Sequence, residues 1–153
     1  MNTANDDRGD HTALKPGVAV DYFVQRHDAE RAGRHYDVRL GDKTTGLLSW
    51  ASRHALPEPG GRPRLLTRQA LHPHAYGSFS GTILAGRGRG AVRLLAAGKA
   101  RVESVGPNHL DVVLENPAGA RRVRLVRIAR DPEQWLARDG GAVRSRAGFS
   151  RDD

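Results

Sequence analysis

The segment Arg34-His35-Tyr36-Asp37-Val38-Arg39-Leu40 alternates polar and apolar side chains without a break. On an extended strand successive side chains point to opposite faces. His35, Asp37 and Arg39 therefore share one face, and Tyr36, Val38 and Leu40 share the other. Alternate residues on a strand are roughly 7 Å apart at Cα, close enough for an imidazole and a carboxylate to converge on one cation. That donor pair suits a borderline divalent metal, with a third ligand to come from elsewhere. Arg39, further along the same face, is placed to hold a phosphate or another anion. A wet strand face carries such residues without any site, so the other histidines matter. The chain has seven: His11, His27, His35, His54, His72, His74 and His109. His27, in QRHDAE (25–30), can fold back towards His35 across a hairpin whose loop includes Arg31, Ala32, Gly33 and Arg34. His72 and His74 flank Pro73 in LHPHAY (71–76), where the proline fixes the local backbone. His11 sits in a polar leading segment and is expected to play no part.

The elements that would position these residues are short and strand-like. Apolar or alternating segments fall at 20–26, 34–40, 46–51, 64–67, 79–84, 91–95, 99–105, 110–115 and 121–128, separated by turn residues such as Gly41-Asp42 and the loop PEPGGRP (57–63). Many short strands with frequent turns predict an all-β fold, a sandwich or barrel of antiparallel strands. One short helical turn is expected near the C-terminus, at 131–138, with Asp131 as N-cap and Pro132 at the first helical position. Gly86-Arg87-Gly88-Arg89-Gly90 has glycine spacing but neither the Lys-Ser/Thr nor the strand–loop–helix setting of a phosphate loop, and reads as a basic turn between strands. Residues 1–16 read as a mobile arm, 17–138 as one compact domain, and 139–153 as a disordered tail.

Composition bounds the partners. The chain has 153 residues, 25 basic against 17 acidic, for a net charge of +8, and all but three of the basic residues are arginine. Arginine suits bidentate phosphate contacts, and a strong positive charge favours a nucleic-acid partner. There are no cysteines, which excludes disulfides, thiolate metal sites and cysteine nucleophiles together. No apolar run approaches transmembrane length, and the leading residues lack the apolar core of a signal peptide. A cytoplasmic monomer with no membrane contact is expected.

Taken in order along residues 20–138, these pieces resemble the 3′-phosphoesterase domain of bacterial DNA ligase D. FVQRHDAERAGRHYDVRL (23–40) is similar to the family's pattern of a His, a spacer and His-Tyr-Asp-x-Arg-Leu. LSWA (48–51), LHPHAYGSFSGTI (71–83), RVRLVRI (122–128) and QWL (134–136) resemble its later segments. The resemblance implies a compact β-barrel with its active site in a cleft. It implies a divalent-metal enzyme, typically using manganese, that removes a 3′-terminal ribonucleoside and a 3′-phosphate from DNA ends. Carried onto this chain, it makes His27, His35 and Asp37 metal ligands, with Gln25 supporting them. Arg39 and His72 would contact the scissile phosphate, Tyr76 would line the pocket, and Arg64 falls at a phosphate-binding arginine. His54 stands where the family carries a basic lysine and joins the same phosphate-binding set. DNA is the implied partner, in the company of end-joining ligase, polymerase and Ku-type proteins. The chain departs from the pattern in four places. The spacer between His27 and His35 is two residues longer, and Arg53-His54 replaces Pro-Lys. Ala70-Leu71 and Leu84-Ala85-Gly86 each lack a carboxylate that the family has. Weakened activity is expected.

Two rivals stand beside this reading. A basic β-barrel that binds DNA ends or a repair partner without catalysis would account for the missing carboxylates. An iron oxygenase of the 2-oxoglutarate type would use His35, Asp37 and His109 as ligands, with Arg121 beyond them. Such an enzyme would leave His27 and His72 without a role.

Overall fold

The structure, a computed structural model, describes residues 7–86, 88–128, 131 and 133–143. Its strands are β1 (Ala19–Ala29), β2 (Gly33–Asp42), β3 (Gly46–Ser52), β4 (Arg64–His72), β5 (Gly81–Ile83), β6 (Gly90–Gly106), β7 (His109–Asn116), β8 (Gly119–Arg127) and β9 (Gln134–Asp139). Neighbours run in the order β1-β2-β3-β4-β9-β8-β7-β6, and β6 pairs back onto β1, which closes a barrel of antiparallel strands. The short β5 adds to the first residues of β6. The all-β barrel expected from the strand pattern is the fold observed. Among the described residues the helical content is two 3-10 turns, His11–Ala13 and His74–Tyr76, and no helix is long and apolar enough to cross a membrane.

Strand parity divides the wall into two faces. Val20, Tyr22 and Val24 of β1, Leu40 of β2, Leu48 and Trp50 of β3 and Leu66 of β4 fill the interior. They meet Trp135 and Ala137 of β9, Val123 and Leu125 of β8, and the β6 and β7 residues Ala100, Val102, Leu110, Val112 and Leu114. The two tryptophan rings meet edge to face at 5.7 Å, with the Arg68 guanidinium over both. The alternate residues of β1 and β2, Gln25, His27, His35, Asp37 and Arg39, are left on the outer face.

Several sequence expectations are corrected. The segment 134–139 is a strand, not a helical turn: Trp135 and Ala137 are buried while Gln134, Leu136 and Arg138 face outward, a period of two. Asp131 does accept a hydrogen bond from Glu133 N, as an N-cap would, but the chain then turns directly into β9. Pro132 lies outside the described residues. The segments 91–95 and 99–105 are one strand, β6, running through Ala96-Ala97-Gly98. Small residues there signal close approach rather than a break: a Cβ on Gly98 would lie 2.0 Å from Glu115 O and 2.9 Å from the Tyr22 ring. β4 extends through His72, and β5 is confined to three residues. The described part of the expected arm is packed against the barrel. His11 is buried, its Nε2 donating to Gly106 O at 2.7 Å and its ring set edge-on to Trp135, and Leu14 joins the core. Residues 1–6 and 144–153, the remainder of the expected arm and most of the expected tail, lie outside the described residues.

Candidate metal and phosphate site

The β1–β2 hairpin brings the sequence-predicted ligands together by register. His27 stands directly opposite His35, Gln25 opposite Asp37 and Phe23 opposite Arg39. The longer spacer is absorbed in the turn, where Gly33 adopts φ +77°. Asp37 Oδ2 lies 3.4 Å from His35 Nε2 and 3.9 Å from His27 Nδ1, and the two imidazole rings are 4.7 Å apart. One donor atom from each of His27, His35 and Asp37 fits within 4.8 Å of the others.

A roof formed by residues 73–86, 88 and 89 lies across this outer face. Gln25 Nε2 donates to Tyr76 O at 2.7 Å and to Phe79 O at 3.0 Å. Gly77 rests on Phe23: a Cβ there would fall 2.2 Å from the ring, so a larger residue would lift the segment. His74 reaches Asp21 at 2.7 Å, and Leu94 N donates to Ser80 Oγ at 2.8 Å. Gly88 closes the far end, where His27 Nε2 donates to Gly88 O at 2.6 Å. A carbonyl can only accept, so His27 carries its proton on Nε2 and presents the Nδ1 lone pair to Asp37 and His35.

That tautomer, the converging donors and the single carboxylate fit a divalent metal bound by two imidazoles and one oxygen ligand. Asp37 raises the His35 pKa above the usual imidazole value, chiefly by hydrogen bonding, with burial working the other way. Arg39 is buried and fixed on three sides. Its Nε donates to Gln25 Oε1 at 2.7 Å, Nη1 to Ser49 Oγ at 2.9 Å, and Nη2 lies 3.5 Å from Asp37 Oδ2. Burial pulls its pKa below the ordinary arginine value, and the Asp37 charge pulls it back. His72 donates Nδ1–H to Ala70 O at 2.7 Å, which leaves Nε2 as the nitrogen a ligand can meet. Burial first, and then the Arg39 charge, push its pKa down, so the ring is neutral near pH 7.

The cleft between hairpin and roof has a volume of about 740 Å³ and is lined by Gln25, His27, His35, Asp37, Arg39, His72 and Tyr76, among others. Two of the sequence candidates stand elsewhere. Arg64 opens β4 opposite Ala137, at the other end of the strand from His72, and does not line the cleft. His54 lies in an exposed loop beyond β3, its backbone N–H on Ser52 Oγ. The oxygenase ligand set is not assembled. His109 begins β7 and meets Ser104 Oγ at 2.9 Å, and Arg121 donates to Pro57 O. Gln25 acts on Arg39 and the roof backbone rather than on a ligand imidazole. Sequence reasoning passed over Ser49 and Gln69, which sit in cross-strand file with Arg39. Ser49 shows in LSWA as an outer-face residue, but its partner is visible only once the register is known.

A family model of the DNA ligase D 3′-phosphoesterase domain matches residues 25–129. The chain is also 30% identical, over 119 residues, to a multifunctional non-homologous end joining protein LigD of Mycobacterium bovis. The same identity and length hold for a multifunctional non-homologous end joining DNA repair protein LigD of Mycobacterium tuberculosis. In both cases 76% of this chain is covered but only 15% of the relative. The sequence match spans the same β1–β2 hairpin, β4 end and roof that build the cleft, and the chain belongs to the DNA ligase D 3′-phosphoesterase domain family.

Proposed function

We propose that the chain is a divalent-metal-dependent 3′-phosphoesterase, using manganese, that clears DNA 3′ ends for bacterial end joining. It would act as a cytoplasmic monomer, handing its product to ligase, polymerase and Ku-type partners. The observation that carries the reading is the convergence of His27, His35 and Asp37 beside Arg39 and His72 in one cleft.

His27, His35 and Asp37 would hold the ion, which when bound supplies Lewis acidity and a water of lowered pKa. Everything else falls to the side chains. Arg39, held at Nε and Nη1 and with Nη2 beside Asp37 on the cleft wall, would bind a phosphate oxygen there, offsetting charge that builds on the phosphoryl group. His72 hydrogen-bonds the phosphate through Nε2, and the approaching negative charge raises its proton affinity, so it can pass a proton to the departing oxygen. Tyr76, with its ring 5.2 Å from His72, flanks that oxygen. In the first hydrolysis water adds to phosphorus, the P–O5′ bond breaks, and the terminal ribonucleoside leaves with a proton on its 5′ oxygen. In the second, water adds again, the P–O3′ bond breaks, and inorganic phosphate departs from a 3′-hydroxyl.

The test is an end-processing assay. A 5′-labelled primer–template ending in one ribonucleotide, or in a 3′-phosphate, is incubated with manganese and either wild type or Asp37→Ala. Conversion to a 3′-hydroxyl by wild type alone is the expected result. Shifted primer mobility in a native gel without conversion would instead make the chain a DNA-end-binding barrel.

A further inference from the structure

The cleft is larger than a metal ion and a phosphate require, and its lining changes character along its length. The end nearest β2 is polar. The side towards β5 and β6 is walled by Ala29, Phe79, Ile83, Ala85 and Val92, none of which offers a polar side-chain atom. Phe79 is 40% exposed and Tyr76 52%, whereas Tyr22, Phe23, Trp50 and Trp135 are all buried. Tyr36 is half-buried, so of the described aromatic side chains the two that are exposed both line this cleft.

We propose that the apolar half of the cleft is a nucleobase subsite, with Phe79 as the wall on which the base of the 3′-terminal nucleoside stacks. The inference rests on the phosphoesterase reading of the polar half and assigns the space beside it. An aromatic face accepts any base, and side chains without hydrogen-bonding atoms cannot tell the four apart, so recognition is blind to sequence. The position of the ring is set in advance. Phe79 O accepts from Gln25 Nε2 while Gln25 Oε1 accepts from Arg39 Nε, so one amide fixes the spacing between base wall and phosphate grip. Gly81 leaves room for the ring, since a Cβ there would come within 3.0 Å of Phe79 Cζ.

The experiment uses a primer ending in a 2-aminopurine ribonucleotide, whose emission falls on stacking, titrated with the whole chain in EDTA so that no turnover occurs. Wild type is expected to quench the signal saturably, and Phe79→Ala to lose the quench, with Phe79→Tyr restoring it. With manganese present, Phe79→Ala should raise KM about tenfold for ribonucleotide ends, as the loss of one stacking contact does, and leave 3′-phosphate removal unchanged. Primer binding without quenching overturns the subsite alone. A Phe79→Ala defect of equal size on the 3′-phosphate end also overturns it, because such an end has no nucleoside beyond the phosphate to occupy the subsite. Quenching without end processing in manganese sinks the phosphoesterase reading and leaves the subsite standing. No saturable binding of the primer end removes both.

Discussion

His27 meets the roof with one nitrogen and the cleft with the other. Nε2–H is committed to Gly88 O, so the Nδ1 lone pair is available without a change of tautomer. Removal of Asp37 takes away the one anionic donor of the group. Titration of Asp37→Ala with manganese by calorimetry should therefore show no stoichiometric site, with the thermal unfolding profile still cooperative. The imidazoles also predict how the apo protein responds to acid. Burial lowers the pKa of His11 and His72 from the usual 6.5. Between the folded value and 6.5 the unfolded chain binds the additional protons, so stability falls as pH drops below about 6.5. His35 runs the other way: its pKa is raised by Asp37, so its contribution is full below 6.5 and disappears as pH rises through the folded value. Urea unfolding of the metal-free protein across pH should show the acid limb flattened in His72→Gln and the neutral-to-alkaline decline flattened in Asp37→Asn.

At the scale of elements, Gln25 joins a strand, an arginine and a roof. Its side chain is in three hydrogen bonds and the residue is 1% exposed. Gln25→Ala would leave two carbonyls and a guanidinium nitrogen short of a partner, an expected loss of about 2–4 kcal/mol in unfolding free energy. Its effect on turnover should exceed that of any change confined to the exposed 58–63 stretch, measured as kcat/KM on a 3′-phosphate primer. The residues that a strand displays by parity were legible from sequence: His35, Asp37 and Arg39 could be put on one face from alternation alone. So was His27, because a hairpin has one register that returns it to His35. What alternation could not reveal was which residues of distant segments come to rest over that face. Ser49, Gln69 and the roof carbonyls are fixed by strand order and by the seat of Gly77 on Phe23, which are long-range facts. The basic residues Arg64 and His54 were assigned by motif position, and nothing in a strand pattern shows toward which end of a barrel a loop or strand start is carried.

At the scale of the whole molecule, barrel closure gives each wall two duties, packing inward and chemistry outward. Trp50 and Trp135 anchor the inner face, and Trp50→Ala should cost about 3–5 kcal/mol in denaturant unfolding while manganese binding at temperatures below the transition is retained. The helical turn expected at 131–138, where the structure has the strand 134–139, shows the limit of local signals. Asp131 and Pro132 start turns as readily as helices, and six residues are too few for a period of two to outvote them. The bond between His27 and Gly88 has a further consequence. A carbonyl is common to all amino acids, so the 84–89 loop stores its instruction as a count of residues rather than as a choice among them. Apart from Gly86, whose φ is +87°, Gly88, where a Cβ would lie 3.2 Å from His27 Cε1, and Ala85 of the cleft wall, evolution can rewrite the letters there, but it cannot add or strike one without misaiming an imidazole. Arg89→Ser should be silent in the end-processing assay, and deletion of a single residue from that loop should not.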